Sequence, residues 1–540
     1  MPRTNTHSVT DDAPVELHAD VLVIGGGPAG TWAAVAAAQQ GARVILVDKG
    51  YCGTSGATAP SGTGVWYVPP HPEERRAAMG SRYALGGFLA ERVWMERVLE
   101  QTYANVNTIA DWGYPFPTDD DGRPFRRSLR GPEYMRLMRR KVLQSGVKIL
   151  DHSPALSLLV DEHGVGGATG IRTQTDQAWT VIAGAVVIAT GGCAFLSKAL
   201  GCNVLTGDGL LMSAEAGAEL SGMEFSNAYA ICPKFSSVTK TLFYNWATFY
   251  YESGEVIEGA GSQRGRSVIA RTLLSQPVYA RIDKASEEMQ TWMRQAQPNF
   301  FVPFDRAGIN PFQDRFEVTL RLEGTVRGTG GIRLVDETCA TGVPGLYAAG
   351  DAATRELICG GFTGGGSHNA AWAMSSGYWA GQSAARYAHR LGDKHHLRRP
   401  APLWDAGAGP RQAASESAGS TGEVISAVQQ EVMPCDRNLF RCERNLNDSL
   451  RRLDAVWHTI RYERAPTGSL QKRREAEAMT ATARWMYTAA LERTETRGMH
   501  KRTDFQTADE EQQHRLVVSG LDEIHIHTEP VQHPLEVVPS

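Results

Sequence analysis

Apolar residues in this chain gather in short runs that end in glycine. Val21–Ile24 is a continuous apolar run, as a strand buried on both faces requires. An alanine-rich helix is predicted over Thr31–Gln40 and a second buried strand over Val44–Val47. The strand-then-glycine pattern returns much later, in Gly184–Cys193 (GAVVIATGGC) and Pro344–Asp351 (PGLYAAGD). Arg390–Ser420, rich in Pro, Gly, Ala and Ser, reads as a linker, and Thr421–Arg497 carries helical periodicity with charge pairs. No internal repeat is visible.

The first two strands and their helix frame a specific motif. Gly25, Gly27 and Gly30 give the G-x-G-x-x-G spacing in GGGPAG, and Asp48 ends the second strand. The first glycine makes a tight turn, the second lets backbone approach a pyrophosphate, and the third lets helix pack on strand. The helix N-terminus, opening at Pro28 and Ala29, offers amide donors and a positive dipole to phosphates. Asp48 is placed to accept from ribose hydroxyls, and an acid there argues against a 2′-phosphate.

Which dinucleotide binds is decided further along. Lys49 leads into a loop where glycines, including Gly56 and Gly62, interleave with Ser55, Ala57 and Thr58. A domain for NAD alone would pass from this strand to a plain helix; the glycine and hydroxyl loop suits a chain wrapping an isoalloxazine. Thr190 and Gly191 end one late strand, and Gly350 and Asp351 end the other, with Asp351 in reach of a ribityl or pyrophosphate oxygen. The expected cofactor is therefore FAD. Gly360–Trp372 (GGFTGGGSHNAAW) runs glycines into a helix start, where Ser367 caps the helix and His368 and Asn369 face the flavin or merely pack.

Composition narrows the class. The 540 residues carry a formal net charge of -4, which gives no reason to expect nucleic acid or an anionic membrane as partner. The eight cysteines form no CxxC pair and no zinc spacing, so no metal is expected and the thiols read as free, in a reducing compartment. With no apolar run near the ~18 residues of a membrane span and no signal-peptide pattern at the start, the expected location is the cytoplasm.

The segments GGGPAG, DKG…TSGATAPSG, VVIATGG, TGDGLLMSAEAGAELSGMEF, RSVIAR, GTGGIRLV, PGLYAAGD and TETRGMHKRTDF occur in an order that resembles one family. It is the fumarate reductase/succinate dehydrogenase flavoprotein superfamily, with L-aspartate oxidase and the adenylylsulfate reductase flavoprotein as relatives. The resemblance implies an α/β fold. A split Rossmann-like FAD-binding domain (18–222 and 330–389) would hold an inserted α+β capping domain (223–329). A linker (390–420) and a C-terminal helical domain with tail (421–540) would follow. Asp208, in the TGDG segment, joins the expected cofactor residues.

The resemblance also implies which residues act. The family's covalent histidine position, just after Ser55, is Gly56, so FAD is expected to be non-covalent. The histidine after M-E-F falls on Tyr229, the histidine before the second glycine pair falls near Val326, and the arginine before the serine-led helix falls on Gly364. Only Arg266 has a counterpart, followed by Arg271. A pocket short of so many dicarboxylate ligands is not expected to take fumarate or succinate. Arg266 is the best substrate contact, its alternative being a salt bridge within the cap, and Tyr229 or His368 are the candidate proton carriers. Trp66 and Tyr67 read as a substrate wall or as core, and the aromatic-rich cap as pocket or as ordinary core. Glu224 and His500 are weaker candidates.

The reading is thus an FAD-dependent oxidoreductase exchanging a hydride between a small molecule and flavin N5. The alternative is an electron-transferring subunit working with a separate iron–sulfur or ferredoxin-like partner. Homo-oligomerisation is left open.

Overall fold

The long strand Ala178–Ile188 organises the fold by pairing with a different neighbour along each part of its length. One edge runs parallel to β1 (Val15–Ile24), from Val15 opposite Trp179 to Ile24 opposite Ile188. The other edge pairs antiparallel with Gly164–Ile171 in its first half and parallel with Leu346–Ala348 in its second. Residues near the start of the chain and residues near 350 therefore flank the same strand end from its two sides. The computed structural model describes residues 15–118, 122–239, 241–262, 265–363, 366–392, 397–404, 419–463 and 465–532.

β1 continues into α1 (Pro28–Gln39) and β2 (Val44–Val47), which lies parallel to β1 with Val21 opposite Val44. Beyond β2 lies Lys148–Leu150, and the far edge carries Ala155–Asp161 and Ala401–Pro402 in an eight-stranded sheet. α1 is rich in alanine because another helix lies almost on its backbone. A Cβ on Gly381, in the helix Gly366–Leu391, would sit 2.7 Å from the Cα of Ala33. Larger residues on either face would drive the two helices apart.

The cap is a four-stranded antiparallel sheet, ordered Ala228–Pro233, Phe316–Glu323, Val278–Arg281 and Thr248–Tyr250. Its aromatics resolve to an ordinary core: Phe243, Tyr244, Phe249, Phe300, Phe301, Phe304 and Phe316 are buried against one another. Ring pairs such as Phe304 and Phe316, centroids 4.7 Å apart and edge to face, hold it together.

Two differences from the sequence reading concern the C-terminal third. Helices Thr421–Val432, Glu443–His458 and Leu470–Glu492 form as expected, the first opened by a reciprocal cap between Ser420 and Glu423. The tail is not merely a tail, however. Strands His514–Ser519 and His525–Pro530 form a hairpin that pairs antiparallel with Leu220–Ser221, completing a sheet with Gly331–Ile332. The first part of the supposed linker is also docked: Arg398, buried, donates its Nε to Asp161 at 2.7 Å, and Trp404 donates its amide to Ser157 Oγ at 2.9 Å. Residues 405–418 lie outside the described residues.

Candidate functional site

The turn between β1 and α1 shows why glycine is needed. Gly25 has φ +109°, and a Cβ there would meet the carbonyl of Ala189; a Cβ on Gly30 would run into the carbonyl of Gly25. Gly27 differs from both. It is extended, it opens α1 without any side-chain cap, and a Cβ on it would project into open space with nothing within 4 Å. The first-turn amides of α1 thus face a free volume, which is the arrangement a pyrophosphate requires.

Later segments close on the same place. Ala189 donates its amide to Ile24 at 2.8 Å, which carries Thr190 and Gly191 (φ +75°) alongside the turn. Gly350, at φ +65°, comes so near α1 that a Cβ would lie 2.6 Å from the Ala29 side chain, and this sets Asp351 by the helix start. Gly56 and Gly62, in the loop holding Ser55, Ala57 and Thr58, face space with nothing within 4 Å of a Cβ. Ser367 lies against this loop, where its carbonyl accepts from the Trp66 amide at 3.2 Å. The adjoining Asn369 donates Nδ2 to the Val326 carbonyl at 3.0 Å, while its Oδ1 is buried without a partner. Open glycine faces, an uncapped helix start and unpartnered polar atoms fit an extended dinucleotide. Gly364 lies outside the described residues.

Three of the expected cofactor residues also bind the protein's own groups. Asp48 faces the protein: Oδ2 accepts from the Gly26 amide at 2.6 Å, and Oδ1 from the Gly50 amide and Ser55 Oγ, each at 2.7 Å. It staples the phosphate turn to the following loop. Lys49 and Asp208, expected at the cofactor, spend their charges on each other. Lys49 Nζ is 2.7 Å from Asp208 and 2.7 Å from Glu475 and donates to Thr206 at 2.8 Å. A lysine this buried stays charged only beside such carboxylates, which outweigh burial and raise its pKa. The cluster ties the flavin-side sheet to the helix Leu470–Glu492.

Among the catalytic candidates, Tyr229 is corrected. Its hydroxyl donates to the carbonyls of Val432 and Met433, both at 3.0 Å, and burial pushes its pKa well up. It is an anchor for the C-terminal helices and is withdrawn from the set of proton carriers. Val326 is likewise a packing residue, buried with Ala194, Ala199, Cys202 and Leu205. Arg266 forms no salt bridge among the described residues. It donates to the carbonyls of Tyr229 at 3.0 Å and Ser262 at 2.8 Å, and its Nε is buried without a partner. Burial, with Arg327 nearby, lowers its pKa to about 10, so it remains a cation at neutral pH.

His368 is 3% exposed, with its ring centroid 4.6 Å from that of Trp66. Nδ1 lies 3.3 Å from Ser367 Oγ and Nε2 has no partner. Burial and then the neighbouring Arg82 hold its pKa well below the usual histidine range, so the imidazole is neutral at pH 7. His500 is a core residue: Arg441 donates to Nδ1 at 2.8 Å, and Nε2 donates to the Arg493 carbonyl at 3.1 Å, partners that assign the tautomer. Glu224 is an interface group, paired with Arg493 at 2.8 Å.

Three arginines escaped the sequence reading. Arg355, fully buried, is ion-paired with Asp351 and donates to the Thr325 carbonyl at 2.8 Å, so it fixes the short helix Gly324–Arg327 that carries Val326. Arg327 pairs with Glu323 at 3.3 Å. Arg82, on the helix α2 (Pro72–Leu85), reaches the Thr363 carbonyl at 3.3 Å. The only sequence signal for Arg82 was a charged residue in a helix already rich in charge, a pattern that a solvated face also gives.

Comparisons with known proteins agree with this geometry. Residues 20–233 match the FAD binding domain family, and residues 428–539 match the fumarate reductase flavoprotein C-terminal family. The chain is 25% identical over 551 residues to a fumarate reductase flavoprotein subunit of Mycobacterium tuberculosis, covering 91% of this chain and 93% of that one. It is 26% identical over 558 residues to an L-aspartate oxidase of Streptomyces coelicolor, covering 94% and 92%. The solved adenylylsulfate reductase of Archaeoglobus fulgidus shares the fold, with a TM-score of 0.75 at 18% identity over 100% of both chains.

A glycine-built dinucleotide cradle under a cap domain, together with the matching FAD-binding family, defines an FAD-dependent oxidoreductase. Both matching families, and relatives similar over nine-tenths of the chain, are those of the fumarate reductase/succinate dehydrogenase flavoprotein superfamily. Among the described residues, no helix is long and apolar enough to cross a membrane.

Proposed function

We propose that this protein exchanges a hydride between a small-molecule substrate, other than fumarate or succinate, and a non-covalently held FAD, in the cleft between cap and flavin domain. When bound, the flavin supplies the hydride acceptor or donor at N5. The chain's residues bind, orient and move protons. Arg266, a cation with an unpartnered Nε, orients the substrate from the cap side. His368, neutral and unpartnered at Nε2, holds or takes the accompanying proton. Arg355 and Asn369 fix the short helix Gly324–Arg327 through its Thr325 and Val326 carbonyls.

The observation that carries the reading is this pair of buried, unpartnered nitrogens, Arg266 Nε and His368 Nε2. A dicarboxylate is disfavoured because Tyr229 and Val326, which stand where the family places histidines, are both committed to packing. Non-covalent attachment is supported by Gly56, which offers no side chain, and by Cys52, whose thiol burial pushes up to about 12.

The test is anaerobic addition of candidate substrates and reductants to the yellow protein, followed by bleaching of the oxidised flavin's visible absorbance. Direct reduction by a small molecule, with fumarate and succinate inert, is the expected result. Reduction only through an added ferredoxin or iron–sulfur protein would replace this reading with that of an electron-transfer subunit. Acid precipitation should release the flavin into solution.

A further inference from the structure

Within one turn, three of four consecutive residues carry a backbone conformation that ordinary side chains avoid. Phe195, Leu196 and Lys198 have φ of +53°, +50° and +64°, and only seven non-glycine residues among those described lie in this region at all. Left-handed backbone crowds the Cβ of an L-residue against the next carbonyl, so such a cluster persists only where its surroundings hold it. The turn follows closely on the strand end at Thr190 and Gly191. Lys198 is exposed, so its side chain is not what keeps it left-handed.

Two side chains from distant parts of the chain do the holding. Gln429, on the helix Thr421–Val432, donates Nε2 to the Phe195 carbonyl at 2.8 Å. Arg321, on the cap strand Phe316–Glu323, donates Nη1 to the Ser197 carbonyl at 3.2 Å and Nη2 to the Ser236 carbonyl at 2.8 Å. The cap grips once more just past the turn, where Leu200 donates its amide to the Ser237 carbonyl at 2.8 Å. Beyond that point the chain supports the loop proposed to wrap the flavin. A Cβ on Gly201 would lie 2.7 Å from the Gly56 carbonyl oxygen and 2.8 Å from Pro60 Cγ. Ala57 packs on the buried cluster that holds Ala199, Cys202 and Leu205, and a Cβ on Gly191 would meet the Leu205 side chain at 2.8 Å.

We infer that Arg321 and Gln429 are positioning residues for the cofactor: from the cap and from the C-terminal helices they hold the Phe195–Lys198 turn in the shape against which the flavin loop is built. Both act through the turn rather than on the flavin. This role rests on the proposed FAD site and makes cofactor affinity depend on contacts in two other parts of the chain. Apparent affinity falls with the fraction of molecules in the binding-competent shape, so losing one clamp lets the turn relax and weakens FAD. Glycine at 198 removes the reason for relaxing, because it takes up φ +64° with no Cβ to crowd.

Serial dilution of the flavin-loaded protein, followed by the fluorescence of released FAD, gives the dissociation constant that tests this. Gln429→Met and Arg321→Met should each raise it by about tenfold. Lys198→Gly alone should stay within about threefold of wild type, and added to either clamp variant it should bring the constant back to about that range. Unchanged affinity in both clamp variants overturns the proposal. So does a loss in Q429M that K198G fails to reduce, because the loss then comes from packing and not from the turn. If R321M does not fold, Q429M, at a half-buried position, carries the same test. A wild type that retains no FAD at any concentration would instead sink the functional reading on which the role stands.

Discussion

Arg493→Met tests how the C-terminal third is locked to the flavin half. Arg493 and Glu224 are both fully buried, with Nε 2.8 Å from Glu224 Oε1. The guanidinium also meets Glu495 at 2.9 Å and donates to the carbonyls of Gln512 at 3.0 Å and His514 at 2.8 Å. Removing it affects its two acids unequally. Glu495 keeps Arg497 at 2.6 Å, whereas Glu224, whose Oε2 already lacks a partner, loses the only guanidinium among the described residues that is paired with its carboxylate. Breaking a buried pair from one side costs about 3–5 kcal/mol, because the remaining charge is stranded or must take up a proton. Glu224→Gln alone keeps a neutral acceptor for Arg493 and should cost nearer ~1–2 kcal/mol. In the R493M background the same change removes the stranded charge, so the double variant should recover about 1–3 kcal/mol of the loss. Urea unfolding of the flavin-loaded protein, followed by flavin release and by far-UV circular dichroism, measures all four corners of the cycle. An R493M loss below about 1 kcal/mol, or two losses that simply add, would refute the claim that this pair carries the interface.

Two further outcomes follow from the same geometry. Tyr229→Phe should lower stability by about 1 kcal/mol in a thermal melt and leave the rate of anaerobic flavin reduction nearly unchanged; a fall of ~10²-fold or more would restore it as a proton carrier. Glu356 is buried with Oε1 unpartnered, and burial and the negative Glu224 raise its pKa to about 8. Because the folded-state value lies above the unfolded one, its contribution to stability is complete below the ordinary carboxylate range, roughly pH 4. It is lost as pH rises toward about 8, with a slope of at most ~1.4 kcal/mol per pH unit. Glu356→Gln should flatten that part of the melting-temperature profile, and an unchanged slope would show that the carboxyl is ionised.

The parts legible in the sequence are those whose physics is local. Gly25, Gly27 and Gly30 announce their turn because backbone conformation and close approach depend on residues a few positions away, and the strands around them are continuous apolar runs. The pairing of Lys49 with Asp208 and Glu475 is not legible in the sequence, because Glu475 lies on a helix formed hundreds of residues later, where nothing local marks it. Tyr229 looked chemical only because of the residue it replaces; its hydroxyl is answered by carbonyls at Val432 and Met433, which spacing cannot reveal. The hairpin His514–Pro530 was hidden in a charged, histidine-containing stretch whose strand character depends on the edge it joins.

That hairpin has a consequence for how the protein is made. Strand Leu220–Ser221, at the root of the flavin half, has Val517 and Val518 as its neighbours on one side. Synthesis runs from the N-terminus, so the nucleotide-binding layers emerge and begin to condense while this edge still lacks its partner. Cap and helices must all leave the ribosome before His514–Ser519 arrives to cover it. Until then the nascent chain carries an uncovered ladder of amides and carbonyls open to wrong pairing, the hazard against which chaperones guard newborn sheets.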